Sequence, residues 1–211
     1  MFASRVFQKS KGFPLLHPLI TASLILITAL YFFDIDTQIY IDNTQILVYM
    51  LGPATVALGV PLYNNFSKLM KYKHQLILPL TLGAIASPLF AIGLLAAFNI
   101  EPIVLKSMAS KAITSPIAID ITQLLNGIPA LAVLFVLVSG ITGAAFATNI
   151  FSALKVKSDI SKGIAIGVSA HAIGTARAIQ ISEECAAFSV IAMCINGITV
   201  AVVVVIYVSV I

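Results

Sequence analysis

Five stretches of this chain contain no Asp, Glu, Lys or Arg, and each is long enough to cross a bilayer: residues 12–33, 43–67, 75–100, 121–154 and 185–211. About 20 such residues cross the hydrocarbon core as a helix, because a helix satisfies its own backbone where no water can. The polar segments between them are too short to build a soluble domain. Only 9% of the 211 residues are charged, against about a quarter in ordinary soluble domains, and mean hydropathy is +1.07. The expectation is a single all-α, polytopic integral membrane domain over residues 1–211.

The charge pattern reads as topology. The net charge of +4 comes from basic residues in short clusters beside apolar runs, as the positive-inside rule expects. No basic stripe is interleaved with exposed aromatics, so nucleic acid is excluded as a partner. Arg5, Lys9 and Lys11 place the N-terminus in the cytoplasm, ahead of a first span over 13–33. No small-residue cleavage site follows, so this segment reads as a retained helix and not a signal peptide. The implied location is an inner (cytoplasmic) membrane. Asp34, Asp36 and Asp42 form an outer loop. A second span, 46–63, returns to Lys68, Lys71 and Lys73, and a third, 75–98, leaves again near Glu101.

Parity then constrains the middle of the chain. The next basic loop, Lys155, Lys157 and Lys162, belongs inside, and the run 128–150 reaches it in one crossing. Residues 106–125 therefore cannot cross. They hold Lys106, Lys111, Pro116 and Asp120, a poor composition for a span, and a re-entrant or broken helix satisfies both facts. Residues 163–181 either cross or dip in and return. The run 185–211 is a final span.

The chemistry concentrates in Ser169-Ala170-His171-Ala172-Ile173-Gly174-Thr175-Ala176-Arg177-Ala178. An ionisable group at the bilayer centre costs at least about 2.5–3.5 kcal/mol, so its presence there points to function. Gly167, Ala170, His171, Gly174, Thr175 and Ala178 share one helical face, which admits another backbone or a small solute. His171 is a proton-coupling or substrate-contacting candidate, set against a plain core histidine. Arg177 is either a bidentate carboxylate clamp or a side chain snorkelling to the headgroups. Lys111, Thr114 and Ser115 beside Pro116 are candidates for the other half of a site, set against an ordinary kink. Gly52 and Pro53 are candidate helix breaks. The motif 51–57 also faintly echoes 112–118, as paired interrupted helices do in transporters. Asn126 and Asn196 read as packing residues, set against hydrogen bonding between helices. Cys185 and Cys194 match no redox or zinc spacing, and His171 with Glu183 and Glu184 fits no metal-ligand pattern. No cofactor and no enzymatic chemistry are expected.

With these motifs in view, the chain resembles the LrgB/CidB family of antiholin-like membrane proteins from about residue 43 to the C-terminus. The resemblance is carried by Leu51-Gly52-Pro53-Ala54-Thr55-Val56-Ala57-Leu58, by residues 111–118, by Asn126-Gly127-Ile128-Pro129-Ala130, by 169–178, and by Phe188-Ser189 through Asn196-Gly197-Ile198. It departs from the family pattern at Ala186 and Cys194, where glycine is usual, and in Lys111-Ala112-Ile113-Thr114-Ser115-Pro116.

The resemblance implies one of two functions. One is a carrier of small monocarboxylates of the glycolate, glycerate or pyruvate type, with the proton as the candidate coupling ion. In it Arg177 and Lys111 attract the carboxylate, while Gly174, Thr175, Thr114 and Ser115 line the site and His171 handles a proton. The other is a holin/antiholin-like modulator of murein hydrolase export and cell lysis. That modulator would act as a homo-oligomer beside a smaller LrgA/CidA-type partner.

Overall fold

The computed structural model describes residues 18–57 and 59–210. The chain divides at Val56/Ala57 into two compact units. The basic N-terminal segment with Arg5, Lys9 and Lys11 lies outside the described residues, as do the first residues of the expected span 13–33.

In the first unit, α1 (Pro18–Phe32) is followed by α2 (Thr37–Tyr49). Asp36 caps α2, its carboxylate accepting the Gln38 N–H at 2.7 Å. The chain continues as two short helices, α3 (Leu51–Ala57) and α4 (Gly59–Asn64). The continuous span expected over 46–63 is therefore corrected to three pieces. Proline explains the breaks. Pro53 lacks an N–H, and its ring clashes with the carbonyl four residues back, at Tyr49, where α2 ends. In the sequence Pro61 follows Ala57, the last residue of α3, by the same four positions.

The second unit, which begins at Ala57 and so includes α4, also holds α5 (Phe66–Ala97), α6 (Pro102–Met108), α7 (Ser115–Leu124), α8 (Pro129–Ala153), α9 (Asp159–Ile181) and α10 (Glu183–Val210). Among the described residues four helices, α5, α8, α9 and α10, are long and apolar enough to cross a bilayer.

The tertiary contacts show that α9 returns instead of crossing. Its backbone breaks at His171 (φ 39°, ψ −132°), the geometry of the first corner of a type II′ turn. Ser182, just past its end, donates to Asp159 Oδ2, at its start, at 2.8 Å. A straight 23-residue helix would hold these ends about 34 Å apart. Gly174 lies against Ala170 and Ile166, with room for no Cβ. Residues 159–170 and 172–181 are thus two arms of a helical hairpin with His171 at its tip.

Residues 102–124 form another hairpin, the first in chain order, so that of 159–181 is the second. Its helices α6 and α7, of 7 and 10 residues, are far too short for a core about 30 Å thick. Ser107 Oγ accepts the Ile128 N–H at 2.8 Å, and the Ser110 and Thr122 hydroxyls share a 2.8 Å hydrogen bond. These contacts zip the two arms antiparallel, with residues 109–114 at the tip.

The two hairpins point in opposite directions. Along α8, Val136 and Gly140 touch His171, Gly143 packs on Ala170, and Thr148 meets Arg177. So α8 starts beside the open end of the first hairpin and finishes beside the base of the second. The helix α10 runs alongside the first arm of α9, where Gly163 lies against Cys185 and Phe188 and Gly167 against Ser189 and Ala192. Tyr72 of α5 stacks edge-to-face on Phe188, with ring centroids 5.3 Å apart. Lys68, Lys71 and Lys73 therefore share one end of the bundle with Lys155, Lys157 and Lys162.

Candidate functional site in the middle of the bundle

Both hairpin tips converge on one stretch of α8. Val136 and Gly140 lie seven and eleven residues into that helix, about 10–16 Å along its axis, near the middle of a hydrocarbon core about 30 Å thick. The Val136 carbonyl accepts a hydrogen bond from His171 Nε2 at 3.1 Å, which fixes the proton on Nε2 in the neutral ring. The Val136 side chain belongs to the same buried cluster as Ile113, Ala118 and Ile121 of the first hairpin.

Each tip is held by a polar side chain that accepts or donates where the backbone ladder is interrupted. Ser139 of α8 donates to the Ser169 carbonyl at 3.1 Å. Asn196 of α10 donates from Nδ2 to the Ala112 carbonyl at 2.7 Å. These two contacts are equivalent: Asn196 follows Ser139 by 57 residues, and Ser169 follows Ala112 by 57 (196 − 139 = 169 − 112). The same offset aligns Ser139-Gly140-Ile141-Thr142 with Asn196-Gly197-Ile198-Thr199, and Thr114 with His171. It also relates residues 102–153 to 159–210, each a hairpin followed by a long helix. The two halves are inverted copies that hold each other's tips. The helix that follows the first hairpin braces the second, and the reverse. The faint echo between 51–57 and 112–118 is not this repeat.

The symmetry breaks at the first tip. Thr114 precedes α7 but makes no side-chain cap, and its buried Oγ1 has no hydrogen-bond partner. Asn196 is 1% exposed, and its Oδ1 is also without a partner. Such oxygens cost about 1–3 kcal/mol each if left unmatched. Lys111 Nζ donates to Ser87 Oγ of α5 at 3.0 Å. The arms leaving the tips, α7 and residues 172–181, both begin at mid-depth. The first N–H groups of a helix have no partner within it, and with the positive dipole end they favour an anion at such a position.

The remaining candidates are distributed as follows. Thr175 lies one turn beyond His171, donates to its carbonyl at 2.8 Å, and shares a 2.8 Å bond with Ser189 of α10. Ser115 and Pro116 open α7 beside Thr114. The face Gly167, Ala170, His171, Gly174, Thr175 and Ala178 is buried throughout, against α8, α10 and its own hairpin partner. Arg177 is not brought to Lys111. It lies near the base of the second hairpin, bonded to Gln180 and reaching Thr148 Oγ1 at 3.5 Å. Gly52 and Pro53 lie inside α3, with open space beside Gly52. Asn126 takes φ 53° in the turn after α7, which closes the first hairpin instead of joining helices. Sequence reading passed over Ser139, Ser87 and Ser189, and took Asn196 for packing alone. The repeated Gly-Ile-Thr at an offset of 57 was the available signal.

Comparison with known proteins follows the same lines. The model of the LrgB-like family matches residues 1–210. The antiholin-like protein LrgB of Bacillus cereus is 32% identical over 199 residues, 94% of this chain and 86% of that one. The same figures hold for the antiholin-like protein LrgB of Bacillus anthracis. The uncharacterized protein YxaC of Bacillus subtilis is 32% identical over 189 residues, 87% of this chain and 80% of its own. No solved structure matches the chain.

Proposed function

This chain belongs to the LrgB-like family, and from that premise we propose that it is a membrane carrier of small monocarboxylates. The observation that supports this reading is the meeting of two inverted hairpins at mid-depth. Discontinuous helices whose N-termini meet near the midplane are the usual architecture of a transporter's anion site. A site for export regulation or assembly alone has no need of a half-buried ammonium, a buried histidine and two unmatched buried oxygens there.

In this reading Lys111 releases Ser87 and takes the carboxylate, assisted by the N–H groups at the start of α7. Thr114 Oγ1 and Asn196 Oδ1 receive a donor from the rest of the solute. His171, at the opposing tip, moves or senses a proton. Because each half braces the other's tip, loosening one tip while seating the other exposes the site to alternate sides. Arg177, near the base of the second hairpin, keeps that hairpin against α8 and is not part of the carboxylate contact.

The test is uptake of labelled glycolate and pyruvate into proteoliposomes containing this chain alone, with and without a pH gradient. Saturable uptake that Lys111→Ala removes is expected. Normal uptake by Lys111→Ala, or none by folded wild-type protein, would overturn the reading.

A second reading is favoured by the names of the Bacillus relatives, which describe antiholin-like proteins. Here the chain modulates lysis as a homo-oligomer or beside a smaller holin-like subunit. It predicts that lysis phenotypes follow substitutions on lipid-facing helix surfaces and are indifferent to Lys111.

A further inference from the structure

A cavity of about 400 Å3 opens at the basic end of the bundle, between the end of α8 and the base of the second hairpin. Lys155, Lys157 and Lys162 line it together with Thr148 and Ser152. Its floor is apolar, formed by Phe151, Val156 and Ile181. No carboxylate lines it. Asp159, the partner of the lining residue Lys162 at 2.7 Å, is also held by Ser182 at 2.8 Å. Arg177 adds a further cation behind Thr148.

Topology alone does not account for this arrangement. The positive-inside rule asks for cationic charge anywhere in the loop, not for convergence on one cavity. The backbone makes the same point. The helix α8 ends in a Schellman-type turn in which Val156 N–H bonds the Phe151 carbonyl at 2.9 Å. The position that glycine normally fills in such a turn is occupied by Lys155, with φ 53°. The chain accepts a disfavoured conformation to set a lysine at the rim of the cavity.

We propose that this cavity seats the phosphate headgroup of an anionic phospholipid, with Lys155 and Lys157 as its principal contacts. An apolar floor under a cationic rim suits a headgroup with its glycerol backbone better than a free inorganic anion, which gains nothing from Phe151 and Ile181. The location suits it as well, since basic pockets at the ends of membrane helices are where anionic headgroups bind. Occupancy would fasten the base of the second hairpin to α8 and so bear on how freely that hairpin moves.

The experiment uses the purified full-length protein in a neutral detergent. Phosphatidylglycerol, phosphatidylcholine or inorganic phosphate is titrated while thermal stability and retained lipid adducts by native mass spectrometry are followed. Phosphatidylglycerol alone should raise the melting temperature and remain bound. Lys155→Gly is the decisive variant, because glycine suits φ 53° and the fold is preserved. It should weaken phosphatidylglycerol binding roughly five-fold, the equivalent of about 1 kcal/mol per basic group at an anionic surface. Lys157→Gln should do the same, while Lys68→Gln, at the same end of the bundle, should not. Equal binding of phosphatidylcholine, unchanged affinity in Lys155→Gly, or an equal response to inorganic phosphate would each overturn the assignment.

Discussion

Ser182 Oγ donates to Asp159 Oδ2 across 2.8 Å, although the two residues stand at opposite ends of what length and hydropathy describe as one membrane-spanning helix. Asp159 also holds Lys162 of the first arm, and Ser182 Oγ accepts the Cys185 N–H at 3.1 Å at the start of α10. One carboxylate and one hydroxyl thus clasp both arms of a hairpin to the helix that follows.

The clasp can be locked covalently. In a Cys185→Ser, Cys194→Ser background, Asp159→Cys combined with Ser182→Cys should form an intramolecular disulfide on mild oxidation. Side chains already in contact meet its short reach. A helix that crossed the membrane would keep the thiols on opposite sides, so a failure to cross-link in folded protein refutes the hairpin.

Sidedness gives a second check on the paired hairpins. Single cysteines at Lys157 and Glu184 should react with an impermeant maleimide from one face of the membrane. Cysteines at Glu101 and Gln123 should react from the opposite face. Opposite reactivity of Glu101 and Gln123 would mean that residues 102–124 cross.

At His171 the usual order of small residues should invert. In an intact helix glycine is less stable than alanine by about 1 kcal/mol. At φ 39° alanine carries the strain and glycine does not, a cost on the order of 1–3 kcal/mol for a residue held in such a region. His171→Gly should therefore melt above His171→Ala, although both lose the bond to Val136 and support no uptake. The opposite order would show a continuous helix.

Packing glycines and spare glycines should separate cleanly. A Cβ on Gly167 would meet the Ser189 carbonyl, Ala192 Cβ and Met193 N of α10, so Gly167→Ala should destabilise by about 1–3 kcal/mol, as overpacking does. Gly93, in α5, has nothing within 4 Å of a built Cβ, and Gly93→Ala should stabilise by about 0.5–1 kcal/mol. Thermal unfolding in one detergent measures both.

The two intramembrane cations should behave differently under the carrier reading. Lys111→Gln removes a charge-assisted contact worth about 1.5–3 kcal/mol, so uptake efficiency should fall at least about ten-fold. Arg177→Gln removes a half-exposed interaction of under about 1 kcal/mol and should cost no more than about five-fold. Equal losses in radiolabel uptake would mean that Arg177 also contacts the solute.

Much of this arrangement was legible in the chain itself. The parity of basic loops, together with Lys106, Lys111, Pro116 and Asp120, already required residues 106–125 not to cross. The residues of the second hairpin stood out because His171 and Arg177 are expensive in an apolar setting. Their grouping did not stand out. Arg177 and Lys111 looked like two halves of one clamp because both are cationic, yet Arg177 sits six residues beyond the turn, on the arm returning to the bundle's basic end. The partners of the tips, Ser139 and Asn196, carry no charge and look like ordinary packing until their 57-residue offset is matched with that of Ser169 and Ala112.

By itself the sequence determined the solvent and the secondary structure. Charge-free runs of this length are stable only in lipid, and there only as helix, because backbone groups find no other partner. Proline positions likewise set where α2 stops. Only the tertiary structure decided which apolar segments cross and which return. Hydropathy records how greasy a segment is and not its direction, and the reversal in α9 rests on one residue's backbone angle and one hydrogen bond between its distant ends.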